Sequence, residues 1–180
     1  MDASAASRNH GRDSSSMTPQ AEPTDDDLSI GGGEMLLRFC KNPYQIVKDA
    51  DGMYILSPQV FAANGSGCSI EFESLLENEG LSAEQRAPQI NAVAALKLLA
   101  SEARGVVNMD KNNKNPKALK VAYTPIQPDE PDGPNTFHGD IFPPATGSAR
   151  KALLKIATSR AYAVQLDQTV AESFYKTRKG

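Results

Sequence analysis

A histidine two residues from an aspartate, His138 and Asp140, is the first feature of the chain that could support chemistry. Residues at i and i+2 of a strand lie on the same face, so this imidazole and this carboxylate are expected side by side. Ser57, Ser69 and Cys68 offer nucleophilic atoms elsewhere in the chain. With a histidine as base, one of them would complete a nucleophile and base pair. This interpretation predicts a small hydrolase or nuclease-like enzyme with His138, Asp140 and Ser57 as candidate catalytic residues.

The motifs that usually accompany such catalysis are missing from the sequence. It contains no Gly-x-Ser-x-Gly elbow, no catalytic-cysteine signature and no third orienting group at a recognisable spacing. A histidine on a strand more often satisfies a backbone carbonyl or faces solvent. The sequence therefore favours a structural role for His138 and leans away from an enzyme without excluding one.

Metal and cofactor sites are not expected either. The acidic residues of the loop 127–134 could hold a hard cation beside His138, but this proline-rich loop lacks the ligand order of a calcium loop. Cys40 and Cys68 are not spaced as paired metal ligands, so we interpret both as buried thiols. The glycine triplet 31–33 lacks the Lys-Ser/Thr ending of a phosphate-binding loop.

The net charge of −3 is unevenly distributed along the chain. Residues 1–33 and 68–103 each carry six acidic and two basic residues, whereas residues 148–180 carry seven basic and two acidic ones. Four of these basic residues fall on one predicted helix and are our candidate partner-binding residues: Arg150, Lys151, Lys155 and Arg160. Such asymmetry can steer a charged partner, although solvated helix faces are its commoner meaning. Nucleic-acid binding by this helix is a further alternative, but no RNP, KH or zinc-finger signature supports it.

The length of 180 residues favours one domain. Residues 1–33 are acidic and have too few apolar side chains to offset the entropy of ordering, so we expect a disordered tail there and a single α+β domain over residues 34–180. The sequence has no signal peptide and no stretch of about eighteen apolar residues. We therefore expect a cytoplasmic bacterial protein with no membrane segment.

The first half of this domain shows clear local signals. A polar Asp-Gly link between residues 44–48 and 53–56 predicts a β-hairpin. Ser57 and Pro58 are typical of a helix start, and the turn that follows is expected to bury Phe61. Alternating residues 68–73 predict a strand, and residues 74–79 a short helix that Gly80 ends.

The second half is predicted from periodicity. Ser82 and Gln85 form a capping box, and the helix that they begin is expected to continue through Arg104, with a kink or a restart at Pro88. Residues 105–109 and 119–123 are predicted to form a second hairpin, and residues 136–142 another strand. A last helix is expected to begin near residue 146 or 148, with the chain fraying from about Thr169. Together these elements predict a small antiparallel or mixed sheet covered by two main helices.

Three short motifs of this chain, in this order, resemble motifs shared by a group of short, functionally uncharacterised bacterial proteins. The motifs are Leu56-Ser57-Pro58-Gln59-Val60-Phe61, then Cys68-Ser69-Ile70-Glu71, then Asn135-Thr136-Phe137-His138-Gly139-Asp140-Ile141. The resemblance covers roughly residues 54–142 and carries no known activity. It implies a small accessory protein of the bacterial cytosol and marks Ser57, Phe61, Ser69 and His138 as positions to test.

These observations lead to one functional expectation. The absence of catalytic and cofactor motifs, the segregated charge and the acidic tail favour a non-enzymatic protein-interaction or regulatory accessory module. Its partner is expected to be a protein that binds at a sheet edge or along the charged last helix. Nothing in the sequence fixes an oligomeric state.

Overall fold

The computed structural model describes residues 25–109, 116–128 and 133–179 of the chain. These residues have the predicted α+β fold. The strands are β1 Met35–Cys40, β2 Ile46–Lys48, β3 Tyr54–Leu56, β4 Cys68–Phe72, β5 Ala94–Leu99, β6 Val107–Asn108, β7 Lys117–Ala118, β8 Lys120–Tyr123 and β9 His138–Phe142. The helices are α1 Glu73–Asn78, α2 Ala83–Gln89, α3 Ala100–Arg104, α4 Gly147–Thr158 and α5 Gln168–Lys176. None of the described helices is both long enough and apolar enough to cross a membrane.

A five-stranded sheet in the order β5-β1-β4-β9-β8 forms the centre of the fold, and every neighbouring pair in it is antiparallel. Side chains alternate between its two faces because the strand period is two residues. One face, which we call the α4 face, buries Ile70, Phe72 and Ile141 beneath Leu153 of α4. The opposite face, the α2 face, carries a second, smaller apolar cluster near β1 and β5, where α2 covers it.

The first predicted hairpin is confirmed. Strands β2 and β3 pair from Ile46 with Leu56 to Lys48 with Tyr54. Gly52 takes a φ of +80° in the turn, which glycine adopts without a steric penalty. Ser57 then accepts a hydrogen bond from the backbone of Gln59 and starts a 3₁₀ helix over Pro58–Phe61. Phe61 is fully buried, as predicted.

The long helix predicted from Ser82 to Arg104 is wrong after its first turns. The capping box of Ser82 with Gln85 is present, but α2 ends at Gln89 and Asn91 adopts a φ of +55°. Ala94–Leu99 then forms β5, which pairs with β1 along its whole length. Most of this strand is buried on both faces, so its apolar residues do not alternate. A continuous apolar run satisfies helical spacing as well as strand spacing, which explains the error.

A second hairpin is present, but its second strand is β7, Lys117–Ala118, and not the predicted residues 119–123. Val107 pairs with Ala118 and Asn108 with Lys117, and the link between them lies partly outside the described residues. Strand β8 does not belong to this hairpin, because it pairs with β9 in the main sheet. The strand predicted over residues 136–142 is present as β9, with Gly139 and Ile141 on the α4 face.

The prediction of a disordered tail up to Gly33 is wrong for residues 25–33; residues 1–24 lie outside the described part of the chain. Asp26 forms an ion pair with Arg104 at 2.8 Å, and its Oδ1 accepts the backbone N–H of Val121 at 2.8 Å. The N–H of Asp27 donates to the carbonyl of Val121 at 2.9 Å. Charge pairing therefore orders a segment that has few apolar side chains.

Both outer strands of the sheet have backbone partners beyond the sheet itself. The segment at Asp27 lies against β8, and Ala163 and Val164 both donate to the carbonyl of Ala95 in β5. Unpaired strand edges are the usual template for strand addition by a partner. The sheet edges are therefore partly occupied, at Ala95 of β5 and at Val121 of β8.

The C-terminal region holds two helices, so the fraying predicted from Thr169 is wrong. Asp167 caps α5 by accepting the N–H groups of Thr169 and Val170. The Gln168 amide bonds both backbone groups of Tyr54, at 2.8 and 3.0 Å, and joins α5 to the β2–β3 hairpin. A short-range cap and one tertiary amide contact thus hold this helix in place.

Gly139 lies where the sheet leaves no room for a side chain. A Cβ there would lie 2.6 Å from the carbonyl oxygen of Ala122 and 2.7 Å from Cζ of Phe72. The Phe72 ring crosses the glycine and fills the space on the α4 face, next to Tyr123. This packing sets the spacing of β4, β9 and β8.

We therefore expect Gly139→Ala to lower the free energy of unfolding by about 1–3 kcal/mol, because the backbone or the Phe72 ring must move. Urea denaturation followed by circular dichroism measures the change. Gly147→Ala is the matched control, since a Cβ at Gly147 meets nothing within 4 Å. Equal stability of the Gly139→Ala protein and the wild type would contradict the packing described.

Candidate functional site

A polar cleft of about 730 Å³ opens on the α2 face, beside the part that α2 covers. Its walls come from β1 and the turn that follows, from β4, from the end of α2 and from the loop that leads into β9. The residues that line it include three cationic ones, Arg38, Lys41 and Arg86, and one carboxylate, Glu71. The cleft is thus positively charged in a chain whose net charge is −3.

Three polar residues of the adjacent strands β4 and β9 line the floor of the cleft, Ser69, Glu71 and His138, and Asp140 is next to them. Glu71 lies opposite His138, and Ser69 lies opposite Asp140, in the register of β4 with β9. Directly opposed residues of an antiparallel pair have Cβ atoms about 4.5–5.5 Å apart. The predicted His138 and Asp140 therefore do share a face, and Ser69, one of the alternative nucleophiles, lies beside them.

Thr124 connects the two predicted catalytic candidates. Its hydroxyl donates to Oδ2 of Asp140 at 2.8 Å, and its carbonyl lies 2.7 Å from Nδ1 of His138. Because a carbonyl oxygen can only accept a hydrogen bond, Nδ1 must carry the proton and donate to it. This assignment, made from the hydrogen-bond network, leaves the lone pair of a neutral His138 ring on Nε2.

Asp140 lies against a turn that requires glycine. A Cβ at Gly67 would lie 2.8 Å from Cβ of Asp140 and 2.9 Å from its Oδ1. The turn from Asn64 to Gly67 therefore packs directly on the carboxylate. This contact, together with Thr124, holds the Asp140 side chain in one orientation.

A buried ion pair forms the wall next to α2. Glu71 is 5% exposed, and its two oxygens accept Nε and Nη2 of Arg86, each at 2.9 Å. Asn135 adds a third hydrogen bond, from its Nδ2 to Glu71 Oε1 at 2.9 Å. A bidentate pair with an extra donor offsets the cost of removing the carboxylate from water. The network fixes α2 and the loop before β9 to the sheet.

Arg38 lies in a gap between β1 and β4. These strands pair at only two positions, Leu36 with Phe72 and Leu37 with Glu71. Beyond them, Nη1 of Arg38 donates to the carbonyl of Ser69, and Nε donates to the carbonyl of Val60. The guanidinium therefore takes the place of ladder hydrogen bonds. Arg38 is 8% exposed, and no carboxylate of the described residues pairs with it.

The turn after β1 presents hydrogen-bond donors to the cleft. Gln45 Oε1 accepts the backbone N–H groups of Lys41 and Asn42, at 3.0 and 3.1 Å. Asn42 Oδ1 accepts the N–H of Tyr44 at 2.9 Å. Since both amide oxygens are occupied by backbone donors, the groups left over are the NH₂ groups of Asn42 and Gln45. Both residues line the cleft.

The structure places Ser57 away from the other catalytic candidates. Its hydroxyl accepts the N–H of Gln59 at 3.3 Å as a helix cap, and the residue is buried. No hydrogen bond within the described ranges joins Ser57 to His138 or Asp140. Both cysteines are buried and unpaired, as predicted. Burial raises the pKa of the Cys40 thiol to about 11 and also raises the pKa of Cys68, so neither is a thiolate at neutral pH.

The four basic candidates near α4 separate into two kinds. Arg160 forms an ion pair with Glu102 on α3, and the hydrogen bond from Arg160 holds the pKa of this carboxyl below its usual value. Arg150 donates from Nη1 to Gln59 Oε1 at 2.9 Å. Lys151 and Lys155 are exposed. Two of the four, Arg150 and Arg160, thus have partners within the domain, and the other two, Lys151 and Lys155, face solvent.

Sequence reasoning missed most of the cleft. Arg38 and Arg86 stand at ordinary positions of a strand and a helix, with no local motif. Glu71 belongs to the Cys68-Ser69-Ile70-Glu71 motif, which does not indicate its pairing with Arg86. The turn is different, since Asn42 precedes a proline and is followed three residues later by Gln45, which is a capping box visible in the sequence. That signal predicts a turn at these residues, but it does not predict that the turn lies beside the cleft.

Comparisons with protein-family models, with curated proteins and with solved structures found no match to this chain. Across residues 25–109, 116–128 and 133–179, no group of three or more His, Cys, Asp and Glu side chains could hold a metal ion. The geometry of the cleft is therefore the basis for a functional proposal.

We expect Glu71→Gln to lower the free energy of unfolding by about 3 kcal/mol, because Arg86 would keep its charge without a buried carboxylate. The control is Glu172→Gln, which removes an exposed pair with Lys176 on α5 and should leave stability unchanged. Urea denaturation of the two variants measures the difference. Similar losses of unfolding free energy in the two variants would contradict the prediction, because the buried pair of Glu71 with Arg86 would then stabilise the fold no more than the exposed pair.

Proposed function

We propose that this protein is a non-enzymatic binding module and that its ligand occupies the polar cleft on the α2 face. The observation that carries the proposal is a set of buried polar side chains, Arg38, Gln45 and Glu71, held in fixed positions around a cleft of about 730 Å³. Small-molecule sites have volumes of about 300–1,000 Å³ and few, well-positioned polar groups. Ordering these groups before binding lowers the entropy cost of association.

The absence of an assembled nucleophile supports binding over catalysis. Ser57 serves as a cap, and neither cysteine is accessible. Within the described part of the chain, the hydroxyl of Ser69 has no hydrogen bond to His138. A nucleophile and base pair requires that contact or one bridged by substrate. A role as a regulatory accessory to a protein partner remains a prediction, supported by the exposed Lys151 and Lys155.

Filling the cleft should abolish binding while the pair of Arg86 with Glu71 is kept, since only the 3.4 Å hydrogen bond from Arg86 Nη1 to Gln89 Oε1 is lost. Gln89 is exposed on the last turn of α2 and lines the cleft, so Gln89→Trp places a bulky side chain at its entrance. We expect small polar ligands from a chemically diverse panel to shift the NMR signals of Glu71, Asn135 and His138 in the wild type and not in this variant.

Gln165→Trp is the matched control, because Gln165 is exposed and lies outside the cleft. It should respond to the panel as the wild type does. Ligand-induced shifts that survive Gln89→Trp, or that fall on the exposed Met53 and Ile55 instead, would contradict the proposal.

A second candidate is a hydrolytic function with His138 as general base. The specific observation in its favour is the Nδ1 hydrogen bond to Thr124, which leaves Nε2 as a proton acceptor beside the cleft. His138→Asn keeps a donor for that carbonyl and removes Nε2. If the protein hydrolyses ester or phosphodiester substrates, this variant should lose about 10²-fold or more in kcat. Measurable wild-type turnover that the substitution leaves unchanged would exclude His138 as the base.

A further inference from the structure

We infer that the Arg38 end of the cleft binds an oxyanion, a carboxylate or phosphate group carried by a small molecule. This inference rests on the proposed function and names the chemistry of its ligand. The site comprises Arg38 and the turn that follows β1, with Lys41, Asn42 and Gln45.

The charge of Arg38 is the first argument. Its hydrogen bonds to the carbonyls of Val60 and Ser69 satisfy two donors and leave the positive charge without a carboxylate among the described residues. A guanidinium has five N–H donors in a planar fork that suits carboxylate and phosphate groups. Burial of a cation is costly unless a counter-charge is present, and a bound anion would supply it. Glu71 does not, because Arg86 occupies both of its oxygens.

The orientation of the two amides is the second, independent argument. Gln45 is 8% exposed, and the backbone of Lys41 and Asn42 fixes which of its ends faces outward. Its NH₂ group has no hydrogen-bond partner among the described residues, and the same holds for the NH₂ group of Asn42. A side-chain amide can turn either its oxygen or its NH₂ group outward, and here the backbone contacts leave the NH₂ group free to donate. Donors and cations around one end of a cleft favour an acceptor-rich, negatively charged ligand.

The proposed donors are not the free backbone N–H groups at the start of a helix. The 3₁₀ helix Pro43–Gln45 is a single turn, and its first N–H group is already bonded to Asn42 Oδ1. The donors in question are side chains. The cleft is also larger than an isolated anion, so the oxyanion is expected to be one group of a larger molecule.

Two isosteric substitutions test the inference. Gln45→Glu and Asn42→Asp keep the oxygens that accept backbone N–H groups, so the turn is preserved, and each replaces an NH₂ donor by a carboxylate oxygen. The experiment is an NMR titration of the full chain with sodium phosphate and, separately, with sodium acetate, at constant ionic strength set with sodium chloride. We expect saturable shifts of the amides of residues 41–45, and a Kd at least tenfold higher in each variant. Gln165→Glu adds the same charge outside the cleft and should change the Kd by less than twofold.

The two titrations separate the two anions, since binding of either one supports the inference and identifies the preferred group. Failure of both anions to bind the wild type would overturn it. If a neutral member of the ligand panel still occupies the cleft in that case, the proposed function stands and only the oxyanion is excluded. Equal loss of affinity in Gln165→Glu would also overturn the inference, because long-range charge would then explain the effect.

Discussion

The gap between β1 and β4 is the constraint on which the rest of the site depends. Two strands at the centre of a sheet normally bond along their length, but these two pair only at Leu36 and Leu37. Arg38 fills the gap with a guanidinium that bonds the carbonyls of Val60 and Ser69. A buried carbonyl without a donor would cost about 1–3 kcal/mol, so the arginine is part of the structure of the sheet. Unlike an apolar side chain at this position, it also brings a positive charge into the interior.

The remainder of the cleft follows from the alternation of β4 and β9. Their residues on the α4 face are apolar and pack beneath helix α4, whereas Ser69, Glu71, His138 and Asp140 alternate to the other side. Helix α2 covers only the part of that side near β1 and β5. The polar residues are therefore left between α2, the turn after β1 and the loop before β9. The hydrogen bonds of Glu71 to Arg86 and Asn135, and those of His138 and Asp140 to Thr124, fix the orientations of these three side chains.

Local signals predicted the elements that local interactions determine. The Asp-Gly hairpin, the Ser57 cap and the Ser82 capping box each depend on residues within a few positions of one another, and each was correctly placed. Strand β5 was not, because its identity depends on burial of both faces against distant elements. The ordering of residues 25–33 depends on Arg104, far along the chain, and no local pattern reports it. Likewise, His138 and Asp140 were predicted to share a face, but the contribution of Arg38 and Gln45 to the cleft arises only from the sheet order.

The central claim is that the fold holds the Arg38 charge in the interior and leaves it available to an anion. The most direct measurement is NMR of the arginine side-chain N–H groups during addition of sodium phosphate. The account predicts that Nε–H of Arg38 exchanges slowly with water, because it donates to Val60, and that the guanidinium signals shift saturably with phosphate. Rapid exchange of Nε–H, together with guanidinium signals that do not respond to phosphate, would contradict it.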